Sequence, residues 1–218
     1  MTNQERYDTT REAWERHYGR EKSRQAYPDE NLVRLLAHVE PGVALDLGCG
    51  SGRHLSLLLD FGFAPLHGCD TSEASLKISA EVCPPARLFR IDPAGTPENF
   101  RLPLLDGSCR VVVCWGVLHY NSDRLARAML AEAARVLQPG GEVLGTLRSE
   151  GDTHFQGNAD MDGAAIRLFT ESDARGLLGR SFDRVELGYA ERSPVGALDR
   201  RVCHWIFRAS PPAPPVKK

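Results

Sequence analysis

The stretch Ala44-Leu45-Asp46-Leu47-Gly48-Cys49-Gly50-Ser51-Gly52-Arg53-His54 constrains this chain more than any other. An apolar run closes on an acid and is followed at once by glycines at alternate positions. A buried parallel strand that bends sharply into a helix around a ligand calls for that order of residue types. Glycine reaches the backbone angles of such a bend, and its missing side chain lets a ligand lie against the main chain. A loop built for nucleotide phosphate has no use for a carboxylate in front of its first glycine, since Asp46 would repel a pyrophosphate. The dinucleotide fingerprint of dehydrogenases also runs G-x-G-x-x-G, whereas the glycines here are Gly48, Gly50 and Gly52.

Apolar strand-like runs alternate with amphipathic segments along the rest of the chain, which predicts an α/β fold with a mostly parallel sheet and helices on both faces. Strands are expected at Val43–Leu47, Pro65–Asp70, Arg87–Ile91, Arg110–Trp115 and Glu142–Leu147, with two closing strands at Arg184–Leu187 and Val202–Arg208. The fourth holds the continuous run Val111-Val112-Val113-Cys114, typical of a strand covered on both faces. Helices are expected over Asp29–Val39, Gly52–Phe61, Glu73–Val82, Arg124–Leu137 and Thr170–Leu178, with Thr71 or Ser72 capping the third and Pro139-Gly140-Gly141 stopping the fourth. Residues 1–38 form a helical extension that can fold over a site as a lid, and Trp14, His17, Tyr18 and Tyr27 give it an aromatic face. The main domain is expected over 39–210. Residues 149–165 read as an inserted loop, and 211–218 as a proline-rich disordered tail.

The chain has 218 residues, enough for one generous domain, with 42% hydrophobic and 26% charged side chains. A formal net charge of -2 offers no global electrostatic reason to expect nucleic acid. No apolar stretch reaches the roughly 20 residues of a membrane span, and the polar N-terminus is not a signal peptide. Cys49, Cys69, Cys83, Cys109, Cys114 and Cys203 show no zinc-like spacing, so a reducing cytoplasm is the expected compartment and no metal is expected.

Several motifs in order resemble the class I S-adenosylmethionine-dependent methyltransferases, specifically the small methyltransferase-domain group. Asp46-x-Gly48-x-Gly50-x-Gly52 is similar to that family's glycine-rich first motif, and Cys49 lies inside it. Asp70, followed by Thr71, stands where the family holds the ribose hydroxyls, and Asp92 stands near the adenine amine. Trp115-Gly116-Val117-Leu118-His119-Tyr120 follows the fourth strand at the catalytic-side loop, and Ala134–Gly141 resembles the turn into the fifth. The resemblance implies a Rossmann-like seven-stranded sheet with its last strand antiparallel, S-adenosylmethionine as cofactor, and a cofactor site of Asp46, Gly48, Cys49, Gly50, Gly52, Asp70, Thr71, Asp92, Trp115 and Gly116.

These placements also make sense without the family, because ligands of open α/β sheets bind outside the carboxyl ends of the strands. A carboxylate such as Asp70 accepts both hydrogen bonds of a cis-diol, and Asp46 suits the ammonium end of a cationic ligand. His119 and Tyr120 are the candidate catalytic residues, with His119 as a base for a protonated nucleophile. Arg148 and His154 follow the fifth strand toward the substrate and suit a carboxylate or phosphate on the acceptor. Two departures stand out. No Asn-Pro-Pro-Tyr tetrapeptide follows the fourth strand, which argues against nucleobase-amine and glutamine acceptors, and Arg110 stands where the family usually has an acid. The expected activity is methyl transfer to a small-molecule acceptor by a monomer or homodimer, with no nucleic acid and no membrane. The alternatives are a non-catalytic S-adenosylmethionine-binding regulator and a protein or peptide methyltransferase.

Overall fold

The computed structural model describes residues 12–20, 24–91, 100–154 and 166–212. Its centre is β1 (Ala44–Leu47), whose four residues are all buried. β1 pairs in parallel with β2 (Leu66–Asp70) on one side and β4 (Cys109–Cys114) on the other. β3 (Arg87–Arg90) extends the sheet beyond β2, and β5 (Leu137–Arg148) extends it beyond β4, both in parallel. β7 (Val202–Ser210) inserts antiparallel between β5 and β6 (Arg184–Arg192). The order is β3-β2-β1-β4-β5-β7-β6, the seven-stranded, mostly parallel Rossmann-like sheet that the alternating pattern predicts.

Neighbouring strand residues point to opposite faces, and two apolar layers result. Leu45, Leu47, Val112 and Cys114 join α5 (Asp123–Val136) and α6 (Glu171–Leu178) in one cluster. Ala44, Val111, Val113 and Leu144 join α2 (Glu30–Leu36) and α3 (Arg53–Asp60) in the other, where Cys83 at the end of α4 (Glu73–Val82) also packs. A further helical turn pair, α1, spans residues 12–18. Strand order reverses between β1 and β4, so a crevice opens at the carboxyl ends of those two strands.

Several elements differ from their expected bounds. Asp29 caps α2 by accepting the N–H of Asn31, and the helix ends at Leu36, short of Val39. α5 stops one residue early and Leu137 opens β5 directly. β5 absorbs the Pro139-Gly140-Gly141 stretch through a register shift opposite Cys109 and Val111. Gly141 is the residue that makes this fit, because a side chain there would meet the carbonyl oxygens of Gln138, Arg110 and Cys109. β6 and β7 continue for several residues beyond their expected ends as one antiparallel hairpin. The charged residues on the exposed face of β6 hide that length from hydropathy. Arg110 donates to the Gly140 carbonyl, so the basic residue in place of an acid serves the same turn. All six cysteines are free and buried. No helix among the described residues is long and apolar enough to cross a membrane.

Candidate active site at the carboxyl edge of the sheet

The glycine turn is built by β2. The N–H groups of Gly48 and Cys49 both donate to the Cys69 carbonyl, at 2.8 and 2.9 Å. This fold-back needs the left-handed angles of Gly48 (φ 81°), Gly50 (φ 53°) and Gly52 (φ 82°), the last of which caps α3. Oγ of Ser79 on α4 donates to the Gly50 carbonyl at 2.9 Å and closes the turn from behind. A side chain at Gly48 would strike Val117, and one at Gly50 would strike the hydroxyl of Tyr18. Both glycines therefore face space that other residues or a ligand use.

Two carboxylates flank the turn. Asp70, 8% exposed at the end of β2, accepts the N–H of Gly50 and the N–H of Ser72, each at 2.9 Å. Burial raises its pKa above the usual carboxylate value, while the main-chain donors pull the other way. Asp46 is 1% exposed, and neither of its oxygens has a hydrogen-bond partner among the described residues. Burial first, and then the charge of Asp70, push its pKa up to about 7, with Arg53 opposing. A buried acid left in that condition costs stability, and it fits a site completed by a cationic ligand group.

The crevice has two lobes that share Trp14, Tyr18, Gly48, Trp115, Gly116 and Tyr120. The smaller, about 110 Å³, runs past Asp70, Thr71 and Ile91. The larger, about 460 Å³, is polar and reaches His54, His119, Thr146, Arg148, Arg192 and His204. Gly116, at φ 76°, turns the chain after β4 and donates its N–H to Oγ1 of Thr146 at 2.9 Å. Trp115 is held edge-on against His54.

The structure thus brings Asp46, Gly48, Cys49, Gly50, Gly52, Asp70, Thr71, Trp115 and Gly116 to one edge, whereas Asp92 lies outside the described residues. His119 sits on a 3-10 turn, Leu118–Tyr120, and is 2% exposed. Burial, and then the charges of Arg148 and His204, hold its pKa well below the usual imidazole value, which makes it a weak base. Tyr120 meets Trp14 edge-on at 4.9 Å between ring centres. Trp14, His17 and Tyr18 form the expected aromatic face, with Trp14 stacked on Tyr18 at 5.9 Å. Tyr27 does not join it: its side chain is exposed and only its carbonyl is used, accepting from Arg53 at 3.2 Å. Arg148 lines the larger lobe. The main-chain N–H of His154 donates to Asp152 at 2.9 Å, and His154 is not among the residues that line either lobe. His54, Thr146, Arg192 and His204 are residues that sequence reasoning missed. Nothing local marks His204, because only the pairing of β5 with β7 sets it opposite Arg148.

Residues 44–141 match the family described as a methyltransferase domain. A mouse tRNA (carboxymethyluridine(34)-5-O)-methyltransferase is 31% identical over 54% of this chain and 16% of its own. A tRNA U34 carboxymethyltransferase from Pseudoalteromonas translucida is 34% identical over 55% of this chain and 37% of its own. This chain therefore spans less than half the length of either relative. A solved S-adenosylmethionine-dependent methyltransferase from Anabaena variabilis superposes with a TM-score of 0.66 at 14% identity, covering 93% of this chain and 95% of that one.

These relatives correct one expectation. The expectation of no nucleic acid followed from the net charge of -2, and that of a small-molecule acceptor from the modest insertions, but the curated relatives are named for tRNA. The reason is that a chain-wide charge averages away local clusters. Arg192, Arg200 and Arg201 are all exposed near the junction of β6 and β7, and among the described residues none of the three makes an ion pair. The β6–β7 pairing sets Arg192 opposite Val202, at the same edge as the glycine turn. The cofactor implied by the family is S-adenosylmethionine, and the glycine cradle, the orphaned Asp46 carboxylate and the lobe beside Asp70 fit that group. The matched segment is thus similar to a methyltransferase domain, and the seven-stranded sheet has the fold of the solved S-adenosylmethionine-dependent methyltransferase.

Proposed function

We propose that this protein transfers the methyl group of S-adenosylmethionine to a nucleoside of tRNA. The observation that carries the reading is the two-lobed cleft, with a slot beside Asp70 and a polar lobe that the exposed Arg192 lines. Gly48, Cys49, Gly50 and Gly52 cradle the cofactor against the main chain, Asp70 and Thr71 take the ribose, and Asp46 supports the positive end. Trp115 and Gly116 wall the point where the lobes meet. The cofactor supplies an activated methyl on a sulfonium leaving group; the protein aligns the acceptor and excludes water.

Enzymes that modify a base take it out of its stack and hold it between aromatic faces. Trp14 and Tyr120, packed edge-on against each other at the junction of the two lobes, offer such a base an aromatic wall. The arginines at the β6–β7 end suit the phosphates on either side, which fix register without reading sequence. The names of the relatives support the same acceptor class.

The test is incubation of the full chain with unfractionated tRNA and S-adenosylmethionine labelled with tritium in its methyl group. Label is expected in the RNA and should be released by ribonuclease. Replacing Arg200 and Arg201 together by Ala should weaken tRNA binding and flatten its salt dependence by about two charges. Unlabelled tRNA, with the protein shown to bind its cofactor, would overturn the reading.

A further inference from the structure

One end of the larger lobe is a face of the sheet where β5, β7 and β6 run side by side, and strand register decides which side chains meet there. Arg148 stands opposite His204, His204 opposite Ala190, and Val202 opposite Arg192. Paired residues share a face and their chain neighbours take the other. These five residues and Ile206 all line the lobe. Glu191 pairs with Cys203 on the opposite face, where its carboxylate accepts from Tyr189 and Cys203 at 3.4 and 3.5 Å. In the sheet order His204 is four strand spacings from Asp70, roughly 19 Å. That distance sets it away from the ribose end of the crevice.

The polar groups on this face are donors, and one of them is fixed. Nη1 of Arg148 lies 2.7 Å from Nε2 of His204. A guanidinium has no acceptor, so Nε2 takes this bond through its lone pair and the ring proton sits on Nδ1. Arg148 is 5% exposed, and its charge is already met by Asp152, fully buried at 3.4 Å from Nε. Arg148 and Asp152 together are neutral, so no anion is called for there. Burial, and then Arg148, lower the pKa of His204 to about 4, so its ring is uncharged near neutral pH. His204 itself is half-buried, and no described residue accepts from its Nδ1. Thr146, on the same face, has its oxygen engaged by the N–H of Gly116.

We infer that His204 determines acceptor specificity by donating Nδ1–H to a keto oxygen of the base, and that Arg148 and Asp152 are positioning residues that hold the ring in this tautomer. The inference rests on the tRNA-nucleoside reading above and narrows it to bases that carry a carbonyl, uracil or guanine, against cytosine and adenine. A keto oxygen accepts the fixed N–H. An exocyclic amine in its place would set donor against donor and leave both unpaired in a desolvated site. Ala190, Val202 and Ile206 flank the ring with apolar surface, where a hydrogen bond is stronger and its loss costs more.

Two measurements on the full chain saturated with S-adenosylhomocysteine test this. Calorimetry is expected to show uridine bound more tightly than cytidine, on the order of tenfold. Equal binding, tighter cytidine, or binding of neither overturns the inference. Nitrogen-15 NMR of labelled imidazole rings, with the His204 signal assigned by its loss in His204→Asn, is expected to show a protonated Nδ1 and a bare Nε2. The opposite tautomer overturns it. Arg148→Met should mix the tautomers and erase the preference, and Arg148→Lys should restore part of both, with cofactor affinity retained. A folded Arg148→Met that keeps tautomer and preference removes the positioning role. His204→Asn keeps an N–H donor and should retain part of the preference, whereas His204→Leu should retain none.

A third measurement separates this inference from the acceptor reading. tRNA labelled from tritiated methyl donor is digested to nucleosides and resolved by chromatography. Label in a derivative of uridine or guanosine is expected. Label in a derivative of cytidine or adenosine overturns the keto selection and leaves the tRNA reading standing. No label in tRNA, with uridine still preferred in calorimetry, sinks the tRNA reading and leaves the role of His204.

Discussion

The N–H of Gly50 donates to Oδ2 of Asp70 at 2.9 Å, so the glycine turn after β1 hangs on the acid that ends β2. Oδ1 of the same carboxylate takes the N–H of Ser72, and Asp70 also lines the smaller lobe. Asp70 therefore shapes the cradle as well as facing what enters it. Asp70→Ala is expected to cut S-adenosylmethionine affinity by at least about tenfold and stability by about 1–3 kcal/mol. Asn, which keeps one acceptor, should fall between. Calorimetry and urea denaturation measure the two effects, and an unchanged affinity would remove Asp70 from the site.

Gly50 and Tyr18 should be energetically coupled. A methyl at Gly50 meets the Tyr18 hydroxyl and also forces an L-residue to φ 53°. Gly50→Ala is expected to lower stability by about 1–3 kcal/mol. Tyr18→Phe removes the atom in conflict, so the double variant should recover the steric part and retain the backbone part. A double-mutant cycle by thermal unfolding reads the coupling; strict additivity would mean that the aromatic face does not rest on the turn in solution.

Asp46 makes the ligand-free protein sensitive to pH. Its pKa rises on folding to about 7, with burial the main cause. The folded protein thus holds a proton where the unfolded chain, with an acid of about 4, has released it. Its contribution to stability is present below that unfolded value and is lost as pH climbs toward 7. A cationic ligand wants the charged form, so cofactor affinity should rise between about pH 6 and pH 8, with release of a proton on binding. Asp46→Asn should be more stable than wild type at neutral pH without cofactor, and its binding should lose the pH dependence. Calorimetry in two buffers of different ionisation enthalpy checks this, and proton-free binding by the wild type would contradict it.

Arg135 anchors the segment that enters β4. Its Nη2 meets Glu132 at 2.7 Å, its Nη1 meets Asp106 at 2.6 Å, and the Leu104 and Leu102 carbonyls accept at 2.9 and 3.1 Å. Glu132 in turn accepts the N–H of Leu102 at 2.8 Å. Glu132→Ala leaves a largely buried guanidinium without its main partner and is expected to cost about 3 kcal/mol in urea denaturation, with cofactor affinity retained. A loss under about 1 kcal/mol would place the pair with ordinary surface bridges.

The framework was legible because it is local. Val111-Val112-Val113-Cys114 reads as a strand since a run buried on both faces has no polar alternation. Asp46, Asp70 and the alternate glycines read as a site because chain direction alone puts them at strand ends. The far hairpin was less legible. β6 alternates charge with partly buried residues, so its extent emerges only when β7 pairs with it. The acceptor class failed for a related reason: composition sums charges that the fold separates, and the exposed arginines of the β6–β7 junction vanish in a balance of 27 basic against 29 acidic residues.

By itself the sequence determined the strand-turn-helix around Gly48, Gly50 and Gly52, the acids that flank it and the cofactor they imply. These depend on backbone angles and on short separations along the chain. Tertiary structure alone decided that Tyr18 rests on Gly50, that Arg148 meets His204 across two antiparallel strands, and that His119 is buried into weak basicity. Those relations join residues tens of positions apart, through sheet register and desolvation, and neither quantity exists until the chain has folded.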